Sequence, residues 1–176
     1  MFREQLKKAN AELMTELKLK NVNALPKILK VTLNAGLSRG LKDAKFTDAV
    51  ESTLTRITGQ KPVKTKSKAS ISNFKIREGM VVGMMVTLRG RRMEAFLEKL
   101  VNITLPRVRD FQGLSLKSVD DRGNMSIGFK EMLAFPEVGS DEIENLHGLE
   151  VTMATNAESK ERGLALFKAL GFPFKK

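Results

Sequence analysis

Two apolar periodicities alternate along this chain of 176 residues, and they restrict its fold class more than any other feature. In four segments the apolar residues recur every three or four positions, which is typical of amphipathic helices. Between those segments they recur at every second position, which is typical of half-buried strands. We therefore predict an α+β fold: a single compact domain over residues 1–176, with a mostly antiparallel β-sheet, about four to five flanking helices and a long projecting β-hairpin loop.

The ends of the predicted elements follow from capping and helix-breaking residues. Asp43 is expected to cap the second helix and Asn156 the last one, and Pro106 is expected to end the third. The predicted helices cover residues 1–20, 43–58, 91–105 and 156–170, and the predicted strands cover residues 27–35, 63–71, 81–89, 125–129 and 149–155.

The second and third predicted strands form a hairpin with an unusual charge pattern. Lysine occupies every second position at Lys64, Lys66 and Lys68, which predicts a row of ammonium groups on one face of the strand. Residues 72–80 contain too many polar and turn-forming residues for a strand interior, so we expect them to form the projecting loop. The return strand alternates one set of residues with another: Met84, Val86 and Leu88 against Met85, Thr87 and Arg89.

The formal net charge of +11 is distributed very unevenly. Residues 56–92 contain ten basic side chains and one acidic one, whereas residues 131–150 contain six acidic side chains and no Lys or Arg. The basic segment would attract a polyanion by counterion release, and the acidic segment would repel it and suit a basic protein instead. The alternative that both are ordinary solvated faces stays open.

The composition of the chain excludes several classes of functional site. The chain has no cysteine and a single histidine, so it has no disulfide framework, no thiolate metal site and no multi-histidine zinc centre. Neither of the common nucleotide-binding glycine motifs occurs. We expect no metal and no cofactor. The first ten residues, MFREQLKKAN, lack the apolar core of a secretory signal, and a cytoplasmic location is expected.

One catalytic motif does match. Residues 36–40, GLSRG, fit the nucleophile motif of serine hydrolases, and Asp110 or Asp120 and then His147 follow in the required order. Against a Ser38 hydrolase, the chain is short and turns to hairpins after residue 60, and His147 is expected in a surface turn. A binding function therefore fits better than an enzymatic one.

The aromatic content narrows the kind of polyanion. Trp and Tyr are absent, so a broad stacking platform for single-stranded nucleic acid is excluded. The basic strand suits phosphate and shape recognition of double-helical RNA, with amides such as Asn34 and Gln60 reading 2′-hydroxyls or base edges. Phe74 has an unusual position for a core residue: it either folds back onto its loop or is offered to a partner.

Several long strings carry a more specific signal. They are TGQKP, KSKASISNFKIREGM, VTLRGRRM, LPRVRDF, DDRGN, FPEV and LGFPF. Together they resemble the bacterial large-subunit ribosomal protein L5 family over nearly the whole chain from about Asn21 onward.

The resemblance implies a non-catalytic ribosomal protein of the central protuberance that contacts 5S rRNA, large-subunit rRNA, P-site tRNA and a basic protein of the small-subunit head. The implied 5S rRNA face comprises Asn34, Gln60, Thr87 and Arg89, together with the lysines Lys61, Lys64, Lys66 and Lys68. The implied tRNA-contacting loop presents Ser72, Asn73, Phe74, Lys75, Arg77 and Gly79. The intersubunit bridge would use Glu137, Asp141, Glu142 and Glu144.

Three positions depart from the pattern of that family. Val81 stands where proline is usual, Asp121 where the DGRGN turn has its first glycine, and Met125 where tyrosine follows. The first change predicts a less rigid loop base, and the other two bear on the shape of the turn. An RNA-binding chaperone or regulator that acts off the ribosome is the alternative function.

Overall fold

The computed structural model describes residues 2–19, 21–37, 43–139 and 146–175. These residues form two compact units, each built from separate stretches of the chain. Unit 1 contains Met1–Val31, Arg89–Ile127 and Thr152–Lys176, and unit 2 contains Thr32–Leu88 and Gly128–Val151. That the whole chain serves as a single RNA-binding domain stays a prediction.

The five strands form one sheet, in the order β2-β3-β1-β5-β4. They are β1 (Ile28–Gly36), β2 (Val63–Lys66), β3 (Val81–Leu88), β4 (Met125–Phe129) and β5 (Leu149–Thr155). The helices are α1 (Phe2–Glu16), α2 (Ala44–Thr58), α3 (Gly90–Lys99), the single turn α4 (Leu105–Arg107) and α5 (Lys160–Ala169). An antiparallel sheet with flanking helices confirms the predicted α+β class.

In each of β1 and β5, alternation places the buried apolar side chains on one face of the strand. Val31, Leu33 and Ala35 of β1 are fully buried, as are Val151 and Met153 of β5. Successive side chains of a strand point to opposite faces, so the polar positions between them lie on the other side. The half-buried strands predicted from the period of two are therefore confirmed.

In unit 2, α2 has the ends that the sequence predicts. The Asp43 carboxylate accepts a hydrogen bond from the Lys45 N–H at 2.9 Å, and Gly59 ends the helix with a left-handed φ of +67°. Its buried stripe, which includes Val50 and Leu54, packs against β3. Burial of apolar residues at three- and four-residue spacing is what holds such a helix on a sheet.

The hairpin differs from the prediction because β2 is short. It ends at Lys66 instead of continuing to residue 71, and the register with β3 shifts between Thr65 and Lys66. The extra residue, Val82, lies on β3, so side chains still alternate along β2. Only Lys64 and Lys66 of the expected row of three lysines belong to the strand, and Lys68 lies beyond it.

In unit 1, helical structure continues past Pro106, where the third helix was expected to end. A π-helical turn, Leu100–Thr104, follows α3 and leads directly into α4. The Leu105 N–H donates to the Leu100 carbonyl, five residues back. Proline lacks an N–H and clashes with the carbonyl four residues earlier, and the wider π turn accommodates it where a regular α-helix would stop.

Asn156 does not cap α5, contrary to expectation. Ser159 does so, accepting a hydrogen bond from the Arg162 N–H. The Asn156 side-chain oxygen accepts instead from the Lys27 N–H at 2.6 Å, and the Asn156 N–H donates to the Lys27 carbonyl. Asn156 therefore joins the end of β5 to the start of β1, a contact between residues 129 positions apart.

The turn at residues 120–124 is held by one carboxylate. Asp120 accepts hydrogen bonds from the N–H groups of Arg122 and Asn124 and from the Asn124 side chain. Partial burial works to raise the pKa of Asp120, but these hydrogen bonds outweigh it, so its pKa lies below the usual value. Asp121 has a negative φ, so the absence of the family's glycine causes no backbone strain there.

Two glycines make the closest backbone contact around this turn. Gly123 has a φ of +79°, and a Cβ atom on Gly163 would lie 2.5 Å from its Cα. Real Cβ atoms are essentially never found that close, and the opposing atoms belong to the backbone, so neither side can move aside easily.

We predict that Gly163→Ala destabilises the protein by about 1–2 kcal/mol. The gain in helix propensity is at most about 1 kcal/mol, whereas overpacking of this kind costs about 1–3 kcal/mol and sometimes more. Urea unfolding followed by circular dichroism measures the difference. Gly128→Ala is the matched control, since nothing lies within 4 Å of a Cβ there; equal stability of the two variants would refute the close-contact argument.

Candidate nucleic-acid interface

In unit 2, α2 packs on one side of β3, and on the other side of the strands the described residues present exposed and half-buried side chains; we call this side the outer face. On β3, Met84, Val86 and Leu88 are buried on the helix side, as the sequence predicts. The outer face consists of Thr32, Asn34, Val63, Thr65, Met85 and Thr87. Val63 stands opposite Met85 in the register and is 65% exposed, so the face presents an exposed apolar pair beside its threonines and Asn34.

Two of the predicted RNA-binding lysines are engaged by a carboxylate of α2. Glu51 lies 3.2 Å from Lys61 Nζ and 3.0 Å from Lys64 Nζ. Lys64 stands opposite Met84 in the register, which places it on the helix side of the sheet and off the outer face. The hydrogen bonds from Lys64 and Lys61 lower the pKa of Glu51.

Lys66 follows Lys64 by two positions on β2. It stands opposite Val81, and the residue that the bulge adds, Val82, lies on β3, so alternation along β2 keeps Lys66 on the same side as Lys64. Lys68 lies beyond the strand, in the hairpin loop, and both Lys66 and Lys68 are exposed. The structure thus divides the predicted lysine row between β2 and the loop.

Gln60 and Arg89 occupy junctions between elements. Gln60 follows the glycine that ends α2, and Thr58 fixes its backbone: the Gln60 N–H donates to Thr58 Oγ1 at 3.2 Å, and Thr58 Oγ1 donates to the Gln60 carbonyl at 3.0 Å. Arg89 is exposed between β3 and α3 with extended backbone angles. Both side chains are positioned by the ends of regular elements, which are rigid supports for a binding group.

Thr65 and Gly83 were not predicted as site residues. Thr65 stands opposite Gly83 in the register, and both lie on the outer face with Asn34 and Thr87. Because Val63 and Thr65 are two positions apart, the sequence could have placed Thr65 on the outer face. The prediction instead used the lysines at the alternate positions, which lie on the other face.

The hairpin loop, residues 67–80, is ordered by its own hydrogen bonds. At its base the Ser67 N–H donates to the Met80 carbonyl at 2.8 Å, and the Gly79 N–H donates to the Ser67 carbonyl. Further out, Ile71 and Ile76 exchange two backbone hydrogen bonds. These bonds hold both ends of the loop without a proline at position 81.

The tip of this loop presents an aromatic side chain to solvent. A short 3₁₀ turn, Ser72–Phe74, is closed by the Lys75 N–H, which donates to the Ser72 carbonyl. Phe74 is 68% exposed, so it does not fold back onto the loop. Its neighbours Lys75 and Arg77 are exposed as well. An exposed ring with adjacent cations is suited to contact with a nucleic acid.

The acidic segment is only partly described. Glu131 is exposed and Glu137 is half-buried, next to a short 3₁₀ turn at Met132–Ala134. The bridge candidates Asp141, Glu142 and Glu144 lie outside the described residues, and so does Ser38.

His147 is buried, which corrects the expectation of a surface turn. It is 5% exposed, and its ring meets that of Phe46 edge to face at 6.3 Å. It lines a cavity of about 290 Å³ in unit 2. Over residues 2–19, 21–37, 43–139 and 146–175, the structure has no cluster of His, Cys, Asp or Glu that could hold a metal ion. Within those same ranges, no helix is long and apolar enough to cross a bilayer.

An exposed sheet face, a basic hairpin and an exposed aromatic loop are typical of proteins that bind an extended polyanion. Comparison with known families gives the particular class. The family model for ribosomal protein L5 matches residues 21–77, and the model for the C-terminus of the same ribosomal family matches residues 81–174. The chain belongs to the ribosomal protein L5 family.

Individual relatives agree with this assignment. The large ribosomal subunit protein uL5 of Prochlorococcus marinus is 50% identical over 164 residues, 93% of this chain and 92% of the relative. The uL5 protein of Francisella tularensis subsp. mediasiatica is 50% identical over 169 residues, 96% and 94% of the two chains. The uL5c protein of Paulinella chromatophora is 48% identical over 164 residues, 93% and 92% of the two chains.

Family membership confirms the coarse functional predictions. The chain is a non-enzymatic constituent of the large ribosomal subunit, located in the ribosome, with rRNA and ribosomal proteins as partners. The hydrolase hypothesis built on Ser38 is therefore excluded.

We predict that Glu51→Gln lowers stability at neutral pH and that this loss disappears in acid. Because the folded pKa of Glu51 is lowered, its stabilising contribution is complete above its ordinary pKa of about 4.3 and is lost as the pH falls through the lowered value. Urea midpoints of both proteins across this pH range measure the effect. The control is Asp48→Asn on the same helix; a pH-independent loss in Glu51→Gln would show that the charge is not responsible.

Proposed function

We propose that the chain binds 5S rRNA through the outer face of unit 2. The observation that carries this proposal is the side of the sheet on which Asn34 and Thr87 present polar side chains beside exposed cations. Regular strands fix the spacing of these groups, so the surface is formed before RNA arrives. A preformed surface loses less conformational entropy on binding than a flexible one.

The two kinds of side chain have different tasks in this proposal. Lys66, Lys68 and Arg89 are exposed and neutralise phosphates, which supplies affinity that depends on salt. Asn34, Thr87 and Gln60 are neutral and fix the register by hydrogen bonds. Lys61 and Lys64 share the Glu51 carboxylate, so a phosphate must compete with that group to bind them.

We further propose that the hairpin loop contacts P-site tRNA. The support for this is the exposure of Phe74, with Asn73, Lys75 and Arg77 exposed beside it, on a loop that its own hydrogen bonds hold in shape. Ser72 and Gly79 contribute backbone geometry: Gly79 has a φ of +82° and donates its N–H to the loop base.

The acidic segment is proposed to form an intersubunit bridge with a basic protein of the small-subunit head. Its charge carries this proposal: six carboxylates and no Lys or Arg lie within residues 131–150. A surface of this sign is repelled by rRNA and attracted by a basic protein. Glu137, Asp141, Glu142 and Glu144 are the candidate contacts.

We predict that Gln60→Ala and Thr87→Val each weaken binding to 5S rRNA about two- to tenfold without changing the fold. Each removes a hydrogen-bonding side chain from the proposed site, and a bond of this type is worth about 0.5–1.5 kcal/mol. A filter-binding titration measures the affinity, and circular dichroism verifies the fold. The matched controls are Gln112→Ala and Thr15→Val, at exposed positions in unit 1.

The same titration at several salt concentrations separates the two tasks. About five phosphate contacts give a slope of log affinity against log salt of about −4, and neutral substitutions leave it unchanged. A slope near zero in the wild type would contradict the electrostatic part, and full affinity in both variants would remove Gln60 and Thr87 from the site.

We predict that Phe74→Ala combined with Lys75→Gln loosens P-site tRNA on the ribosome about tenfold and spares 5S rRNA binding. The ring and the ammonium group are the exposed features of the loop tip, and stacking on an aromatic ring is worth about 1–3 kcal/mol. Dissociation of labelled tRNA from reconstituted ribosomes gives the measurement. The control is Leu116→Ala, an exposed apolar residue outside the loop.

Glu137→Gln provides the reciprocal variant for the bridge. It should weaken association of the two subunits and leave tRNA retention unchanged, whereas the loop variant should do the reverse. Loss of 5S rRNA binding in the loop variant would argue against separate surfaces for the two RNAs.

A further inference from the structure

One carboxylate on α2 engages two of the lysines that the charge pattern offers to RNA. Glu51 Oε1 lies 3.2 Å from Lys61 Nζ, and Glu51 Oε2 lies 3.0 Å from Lys64 Nζ. The Glu51 side chain is 20% exposed, whereas those of Lys61 and Lys64 are 82% and 43% exposed. We call these three residues the Glu51 cluster. Its carboxylate is the least accessible member and cancels one of the two positive charges.

The Glu51 cluster lies on the opposite side of the sheet from the groups proposed to fix the register of the RNA. Lys64 stands opposite Met84, whose side chain is fully buried on the side where α2 packs. Asn34 and Thr87 belong to the outer face. An RNA backbone bound only on the helix side of β2 would therefore make no contact with Asn34 or Thr87.

Two ammonium groups free of Glu51 on that side would favour the wrong mode of binding. Lysines attract the phosphates of any RNA, because the contact depends on charge and not on sequence. Specificity is the difference between two affinities, and it increases when contacts with the wrong partners are weakened. A carboxylate that engages both ammonium groups and itself repels phosphate weakens such contacts.

We propose that Glu51 is a specificity-determining residue, which engages Lys61 and Lys64 and so disfavours the binding of unrelated RNA to the helix side of β2. The proposal rests on 5S rRNA binding by the outer face. Glu51 makes no contact with RNA in this role and acts through the two lysines. The lowered pKa of Glu51 agrees with it, since the carboxylate stays charged at neutral pH.

The test compares Glu51→Gln with Asp48→Asn, an exposed position on the same helix. Both substitutions remove one negative charge from α2, so they differ in the contact with the two lysines. Filter-binding titrations are made with a 5S rRNA transcript and with an RNA duplex of random sequence. Glu51→Gln should bind the random duplex about three- to tenfold more tightly and 5S rRNA less than about twofold more tightly. Asp48→Asn should leave the ratio of the two affinities unchanged.

A second pair of proteins tests whether the lysines carry the effect. In a background with Lys61→Gln and Lys64→Gln, no ammonium group of the cluster remains to be released. Glu51→Gln should then change the two affinities no more than Asp48→Asn does, as in a double-mutant cycle. Urea midpoints verify that every variant is folded.

Three results would overturn the proposal while 5S rRNA binding stands. Glu51→Gln could tighten binding to both RNAs equally, or keep its gain without the lysines, and either result would indicate a general charge effect. It could instead weaken binding to both RNAs, which would make Glu51 a residue that positions the lysines for phosphate. If the wild type binds 5S rRNA no more tightly than the random duplex, the proposed function fails first and the role of Glu51 fails with it.

Discussion

An antiparallel sheet that buries only one face is the constraint on which the rest of unit 2 depends. The buried side chains of β3 point to the side that α2 covers, because a strand alternates its side chains between two faces. Burial of that face stabilises the unit. The strands also fix the spacing of the side chains on the opposite face, and core packing does not restrict which residues stand there. The surface proposed for RNA is thus a by-product of how the core is formed.

Most of the fold could be predicted because local signals and tertiary packing agree. The ends of α2 depend on Asp43 and Gly59, residues whose capping geometry is intrinsic, and the core residues of β3 follow from alternation alone. The failures occur where a distant partner decides. Asn156 has the sequence of a helix cap, yet a backbone group 129 residues away binds its side chain. Pro106 has the sequence of a helix end, yet a π turn accommodates it.

The residues of the candidate site could be proposed from the sequence, but the side of the sheet on which each one lies could not. Alternation and motif strings identified Asn34, Thr87 and the lysines, but charge pattern alone cannot tell which face a strand turns outward. Glu51 precedes the hairpin in sequence, so the spacing of the lysines does not predict that Glu51 pairs with Lys61 and Lys64. Likewise the register shift between Thr65 and Lys66, close to the end of β2, has no clear sequence signal. Family membership gives the biological setting, and the structure gives the arrangement of groups.

The shortness of β2 has a consequence for the protein before it joins a ribosome. β2 lies at one edge of the sheet, where a long flat strand would offer unpaired backbone groups to any other exposed strand. Four residues, two of them lysines, with a register shift before the last one, make a poor template for such pairing. The shortness and irregularity of this strand therefore act against edge-to-edge aggregation of newly made copies.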